Sequence, residues 1–431
     1  MSSGNSNINA PNFFVEHKKG EVNELMNLLK NPTIDKDPKK KKDIIKRVIA
    51  YMTLGVDVSK LFHEMVKASY INDLVTKKMV YFYIVTYAEE SDAPFLVINT
   101  FLNDLKNDNA KIRGLALRNL CSLKFKGAYE YYAPSLYERL KDPHPYVRKT
   151  AVLGILKAFH LNPKLISEKD IEKLYEMIKD QDPMVVSNTL FALNEILKED
   201  GGVSVTSKMV NHLLNFILEF NEWGQNIILE LISKFKPKDE NQIVGILNTL
   251  EEKDFLKHSS TSIVLATCKV FIKFTKDIHL YPHVINRIKG NLITLFSSSE
   301  ASGNYEMSYI ILSHILLIIK DNMQEPFIQF FKKFYVFVEE PFYIKKIKLD
   351  ILLQLSNKSN YLEILSEMEE YCNDVNLNFC KYAIQIIGEL PNHVKESLDN
   401  VVELFKKYLK RKVDYVICES ICVLKGKIIF I

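Results

Sequence analysis

The sequence predicts an all-α fold, an α-solenoid of HEAT/armadillo-like repeats, on three observations. Glycine is scarce, with 14 in 431 residues, about half of average usage. Glycine is poor in helix interiors and common in tight turns, so its scarcity favours helix. A phrase recurs in which a charged turn leads straight into an apolar run: NDNAKIRGLALRNL at 107–120, KDPHPYVRKTAVLGILK at 141–157 and DQDPMVVSNTLFAL at 180–193. The recurrence has the spacing of one HEAT or armadillo unit.

Aligning the three phrases on the apolar residue after the turn brings Ile112, Val147 and Val185 together. Ala116, Ala151 and Thr189 then align at +4, Leu117, Val152 and Leu190 at +5, and Leu120, Ile155 and Leu193 at +8. These offsets make one apolar face of an α-helix. The turn before each helix carries Asp or Asn, which cap orphan backbone N–H groups. Pro145 and Pro183 fit the first helical turn, where the missing N–H costs nothing. The same pattern is placed at Val75, Ile344, Phe379 and Val416, giving steps of 37, 35, 38, 159, 35 and 37 residues. The long step has room for four units of about 40 residues, and helical text lies within it at 223–235, 263–274 and 307–319. A unit of this size cannot bury its apolar face alone, so neighbours stack into a solenoid with a long binding surface. The recurring phrase is therefore a structural device.

Composition narrows the function. The chain is 47% hydrophobic and 26% charged, and its formal net charge is +4. That is too small to draw the chain as a whole to nucleic acid, so any basic effect is local. MSSGNSNINAPNFF lacks the basic start and apolar core of a secretory signal. The most apolar run, YIILSHILLII at 309–319, has 11 residues and holds His314, whereas a membrane span needs roughly 20. The chain reads as intracellular and soluble. Its six cysteines, Cys121, Cys268, Cys372, Cys380, Cys418 and Cys422, form no CxxC pair and read as reduced residues in helix packing.

No catalytic motif stands out. There is no GxxxxGK[ST] loop, no GxSxG elbow and no GxGxxG, and HEMVK at 63–67 lacks the second histidine of HExxH. Asn357-Lys358-Ser359 matches a glycosylation sequon that means little without a secretory signal. No catalytic residue, metal site or cofactor is expected, and the chain reads as a non-enzyme.

PKKKKDIIKR at 38–47 is chemically unusual. Lys39, Lys40, Lys41 and Lys42 cluster at a helix start, with Lys46 and Arg47 one turn on. The helix dipole disfavours cations there unless an anion is near. The cluster suits phosphoinositide head groups or an anionic membrane surface, or is a solvated face. Residues 1–14 read as a disordered tail, in which Phe13 and Phe14 either staple the first helix or contact a partner. Trp223, the single tryptophan, is expected in core or inter-helix packing.

Several stretches then carry a family likeness. VIAYMTLGVDVSKLFHEMVKAS (48–69), KKMVYFYIVTYA (77–88), INTFLNDLKNDNAKIRGLALRNLCSL (98–123), LKDPHPYVRKTAVLGILKAF (140–159), EWGQNIILELI (222–232), EEPFYIKKIKLDILLQL (339–355) and EEYCNDVNLNFCKYAIQIIG (369–388) follow one another in order. Together they resemble the adaptin family, namely the large beta subunits of clathrin-type adaptor complexes, from about residue 15 to 425. The words EMVKAS, GLALRNLCSL, AVLGILK, DQDPMVV and ILKEDGGV are most similar to the beta chain of the fourth adaptor complex.

The resemblance implies a subunit of a heterotetramer with a second large, a medium and a small chain. Such complexes work on cytosolic membrane faces in vesicle-mediated transport and read sorting signals in cargo tails. The fourth complex is associated with the trans-Golgi network and an Arf-type small GTPase. The resemblance also implies sites. The lysine-rich segment before the VIA-MT motif, here Lys39, Lys40, Lys41, Lys42, Lys46 and Arg47, would contact phosphoinositides. Apolar residues before the N-T-F motif, here Phe95 and Ile98, would contact the GTPase or serve in repeat packing. Residues 15–431 would form the adaptin-type trunk. The linker and ear that follow the trunk in the family are not seen, and the bare apolar end CVLKGKIIFI suggests a shortened chain. The alternative is another HEAT-type scaffold, such as a phosphatase scaffold or a nuclear import receptor.

Overall fold

The computed structural model describes residues 20–35, 37–71, 73–89, 94–124, 127–410 and 413–428. The expected tail with Phe13 and Phe14, and residues 429–431, lie outside the described residues. Among the described residues every regular element is helical. They form two compact units: one runs to Ser204 and takes in Glu219–Ile227, the other is Val205–Leu218 together with the chain from Ile228 onward.

The first unit holds α1 (Glu21–Lys30), α2 (Pro32–Asp35), α3 (Pro38–Thr53), α4 (Phe62–Ala68), α5 (Leu74–Tyr87), α6 (Pro94–Asp104), α7 (Ala110–Leu120), α8 (Ala128–Glu138), α9 (Pro145–Leu161), α10 (Glu168–Met177) and α11 (Pro183–Ile196). The second holds α12 (Ser207–Phe216), most of α13 (Glu222–Lys234), α14 (Glu240–Glu252), α15 (Thr261–Thr275), α16 (Tyr281–Ala301), α17 (Tyr305–Lys320), α18 (Glu325–Ile328), α19 (Phe342–Leu355), α20 (Tyr361–Tyr371), α21 (Leu377–His393), α22 (Leu398–Leu409) and α23 (Asp414–Ile428). In the first unit α3, α5, α7, α9 and α11 pack on one another in chain order, and α4, α6, α8 and α10 each pair with the helix that follows. In the second, α17, α19, α21 and α23 pack in order, with α16, α20 and α22 as their partners. This alternation is the helix-pair repeat of an α-solenoid.

All twelve residues of the aligned phrases are buried, from Ile112 to Leu193. The caps set their register. The Asn109 side chain accepts from Lys111 N–H at 2.9 Å, and Asp182 from Met184 and Val185 N–H at 2.9 and 3.1 Å. In KDPHP the cap is His144, whose Nδ1 accepts from Tyr146 N–H at 3.1 Å. Counted from these caps, the aligned apolar residue is the third helical position. The same count corrects the first repeat. Asp73 caps α5, so its third residue is Thr76, 1% exposed, while Val75 is 53% exposed. Within the long step the third positions are Gly224, Ile263 and Met307, spaced 39, 39, 44 and 37 residues from Val185 to Ile344. The phrase is worn there because the position is not always large and apolar. A Cβ on Gly224 would come within 2.6 Å of Ser187 Oγ, and Met307 is only half-buried.

The charged turns carry a second device. The Arg113 guanidinium donates to the Asp142 carboxylate through Nε and Nη2 at 2.9 and 2.8 Å, and Arg148 to Asp180 at 2.7 and 2.8 Å. Lys77 reaches Asp104, and Lys345 reaches Asp374, each at 2.5 Å. Each cation is the fourth residue of its helix, and each carboxylate lies in or just before the turn that opens the next helix of the series. Asp142, Asp180 and Asp374 also accept the N–H two residues on, from His144, Asp182 and Asn376. One carboxylate thus joins the preceding repeat to the following turn. Burial pushes the Asp142 carboxyl up, but Arg113, the His144 N–H and Arg139 outweigh it and hold the group below the usual range. Asp180 is held down against its burial in the same way by Arg148 and the Asp182 N–H.

Candidate functional site

The lysine-rich stretch forms the start of α3. Asp37 caps it, accepting from Lys39 and Lys40 N–H at 3.1 and 3.2 Å, and Pro38 takes the first helical position. Ile44, Ile45, Val48 and Tyr51 are the buried stripe, spaced to face α5 and α1. The lysines precede that stripe and reach the surface.

The structure divides the six cations instead of presenting them as one patch. Arg47 donates to Glu21 of α1 at 2.8 Å, and Lys42 to Asp73, the cap of α5, at 3.0 Å. These two tie α3 to its neighbours. The Asp73 carboxyl is lowered to about 2, by the Thr76 hydroxyl first and Lys42 second. Lys46 lies 3.4 Å from Asp43 within the helix, and Lys40 lies 3.7 Å from Asp37. Lys39 and Lys40 are exposed, while Lys41 turns toward a cavity of about 690 Å³ shared with Lys30 of α1, Glu64 and Lys67 of α4, and Tyr70. Lys30, Lys67 and Tyr70 escaped the sequence reading because each stands alone in its own helix or turn.

The second candidate region is divided as well. Phe95 is 50% exposed and sets its ring edge-on against Tyr131, with centroids 4.9 Å apart. Leu96 and Tyr131 are also exposed. Ile98 is 2% exposed. One helical turn from Phe95, it points into the core, so it seats α6 in the repeat and offers no surface to a partner.

Trp223 corrects its expectation. It is 80% exposed. It is the second residue of α13, since Asn221 caps Gly224 N–H at 2.9 Å. In this repeat the third position faces inward and the second outward, as Met184 on α11 and Tyr343 on α19 also show. The cysteines divide similarly. Cys121, Cys268, Cys372 and Cys380 are buried, with burial pushing the Cys121 and Cys268 thiols up to about 12, whereas Cys418 and Cys422 are exposed. Among the described residues no group of three or more His, Cys, Asp or Glu is placed to hold a metal ion. No helix among them is long and apolar enough to cross a membrane.

Comparison with known families decides the relationship. The model of the adaptin N-terminal region matches residues 17–429. The chain belongs to the adaptin family. It is 38% identical over 428 residues to the beta-adaptin-like protein A of Arabidopsis thaliana, covering 94% of this chain and 50% of that one. It is 39% identical over 399 residues to the AP-4 complex subunit beta of Dictyostelium discoideum, covering 91% and 46%. With the AP-4 complex subunit beta-1 of Mus musculus it shares 37% over 400 residues, covering 92% and 53%. This adaptin thus spans about half the length of the curated relatives it matches. Its fold is similar to a chain in a homology model of the full-length AP-3 complex, with a TM-score of 0.62 at 20% identity, over 94% of this chain and 69% of that one.

Proposed function

We propose that this adaptin is the solenoid trunk of a beta-type large subunit in a heterotetrameric adaptor complex, of the kind named AP-4 in its relatives. The observation that carries this is the match at 37–39% identity to beta subunits over more than nine-tenths of the chain. Its role is non-enzymatic. It scaffolds a medium chain, assembles with a small and a second large chain, and helps bring the complex to trans-Golgi or endosomal membranes for cargo sorting. Repeat stacking supports this role, because it builds an extended side-chain surface from units that cannot fold alone.

Two surfaces serve recruitment in this reading. Lys39, Lys40, Lys41, Lys42 and Lys46 meet an anionic membrane, while Arg47 sets the angle of α3 through Glu21. Phe95, with Leu96 and Tyr131 beside it, is the apolar contact for an Arf-type small GTPase, and Ile98 supports it from within. The trunk assignment extends over residues 15–431. The test is a native pull-down of the tagged protein from its own cells, read by mass spectrometry. Recovery of one medium, one small and one other large adaptor chain in comparable amounts is the expected result. Recovery of a phosphatase or of nuclear import cargo in their place overturns it.

A further inference from the structure

We propose that the groove between α12 and α14 docks an extended, uncharged segment of a partner chain. Ser207, Asn211 and Asn215 hold its main chain, and Leu214, Phe235 and Ile246 seat an apolar side chain. This docking surface lies in the second unit and does not depend on the two recruitment surfaces. The groove encloses a cavity of about 410 Å³, within the range of small-ligand clefts, roughly 300–1,000 Å³. Among the described residues, none that lines it is ionisable. A phosphate or a nucleic acid finds no cation there to neutralise it. What the lining offers is neutral donors and acceptors over an apolar floor.

The spacing of those groups points to a main chain. Ser207, Asn211 and Asn215 follow one another at four-residue steps along α12. A helix rises 1.5 Å per residue, so the steps are about 6 Å. An extended chain turns its N–H and C=O groups to the same side every second residue, about 6.6–6.8 Å apart. Each amide carries both a donor and an acceptor, the pair that a peptide unit needs. Among the described residues the side chains of Ser207, Asn211 and Asn215 have no hydrogen-bond partner, and both asparagines are exposed. Leu214, Phe235 and Ile246 are buried beneath them. An extended segment lying in the groove sends alternate side chains down to that floor and out to solvent.

The facing helix leaves room for it. Gln242, Gly245 and Thr249 form the α14 wall. Lys253, just past the end of α14, donates to the Leu214 and Asn215 carbonyls of α12 at 2.6 and 3.2 Å. This ties the two C-terminal ends and fixes the width of the groove there. Gln242 is held by the turn before α14, accepting from Lys238 N–H at 3.3 Å. Gly245 stands in mid-helix, where glycine costs stability. A Cβ on it would meet nothing within 4 Å, and its φ is not left-handed. Neither packing nor backbone geometry calls for glycine at that position, whereas a backbone passing close to α14 does.

The test selects random displayed heptapeptides on the full chain, with the Gly245→Leu protein as counter-selection, and titrates the enriched peptide by fluorescence anisotropy. The expected sequences are uncharged, with apolar residues at alternate positions. N211A/N215A should weaken the enriched peptide about tenfold or more, as for two neutral hydrogen bonds lost. Gly245→Leu should abolish binding while the melting temperature holds or rises, because leucine is the better helix former. N-methylation of the peptide main chain, in one of its two alternate registers, should weaken it by tenfold or more. No peptide enriched on the unaltered chain over Gly245→Leu overturns the groove. Undiminished binding by N211A/N215A, or by the peptide methylated in either register, overturns main-chain recognition. Enrichment of highly charged sequences overturns the assignment of an uncharged segment.

Discussion

The turn before α9 and the turn before α3 are built from the same parts, and the protein uses them differently. Each has an aspartate, a proline at the first helical position and basic residues around them. In the first, Asp142 is 4% exposed and takes Arg113, Arg139 and the His144 N–H together. In the second, Asp37 caps Lys39 and Lys40 N–H while the side chains of those two lysines stand at the surface. The neighbour makes the difference. α7 supplies an arginine at its fourth position that reaches the turn before α9, whereas the cation beside Asp37 is Lys40 of its own helix, 3.7 Å away. A carboxylate met by a cation from the previous repeat becomes a joint. One without it leaves its own cations facing outward, where an anionic partner can meet them.

The largest expected effect comes from breaking the joint. Asp142→Ala leaves Arg113 and Arg139 without their shared carboxylate and should cost about 3–5 kcal/mol in urea unfolding, the range for one lost partner of a buried pair. A loss below about 1 kcal/mol, the range of surface pairs, would erase the distinction between the two turns.

Acid sharpens the same contrast. Asp142 and Asp180 are held below their ordinary values, so the unfolded chain binds more protons than the folded one in that range. Their contribution is fully present above about pH 4, the ordinary aspartate value. It is lost as pH falls through the depressed folded values. The unfolding midpoint should therefore hold steady near neutrality and fall steeply in acid, and D142N/D180N should flatten that acid slope. An unchanged slope would mean that other carboxylates govern acid unfolding.

Phe95→Ala should cost about 0.5–1.5 kcal/mol, the worth of one aromatic pair at a half-exposed site. It should also reduce capture of the complex by an Arf-type GTPase loaded with a GTP analogue. Undiminished capture would leave Phe95 as packing for Tyr131. The smallest stability effect belongs to the lysines: replacing Lys39, Lys40, Lys41 and Lys42 with Ala should change stability by no more than about 0.5 kcal/mol. In anionic vesicle binding the same variant should lose about 1 kcal/mol per lysine.

Much of this was legible in the sequence. A helix that packs on both neighbours needs apolar residues at fixed offsets, and the three phrases carry them without interruption. The register failed by one residue at Val75 because hydrophobicity favours valine over Thr76, whereas the Asp73 cap decides the matter. Trp223 was misplaced because residue type speaks for burial and only the cap position shows that the second helical residue faces out. The joints were missed because Arg113 and Asp142 are separated by a whole helix. Their sequence signal is a basic fourth residue in one repeat and an aspartate two places before the next cap. The basic cluster was visible as composition, but its division was not. Whether a lysine ties helices together, as Lys42 does to Asp73, or lines a cavity, as Lys41 does, depends on residues brought in from other turns.

The claim that buried turn charges hold the repeats while exposed ones meet the membrane is tested most directly by measuring anionic-vesicle co-sedimentation of the unaltered chain, Asp142→Ala and the four-lysine variant side by side, at a temperature where circular dichroism shows all three folded. The expected result is full binding by Asp142→Ala and loss of binding by the four-lysine variant. Equal binding by all three, or loss in Asp142→Ala while the four-lysine variant still binds, would contradict it.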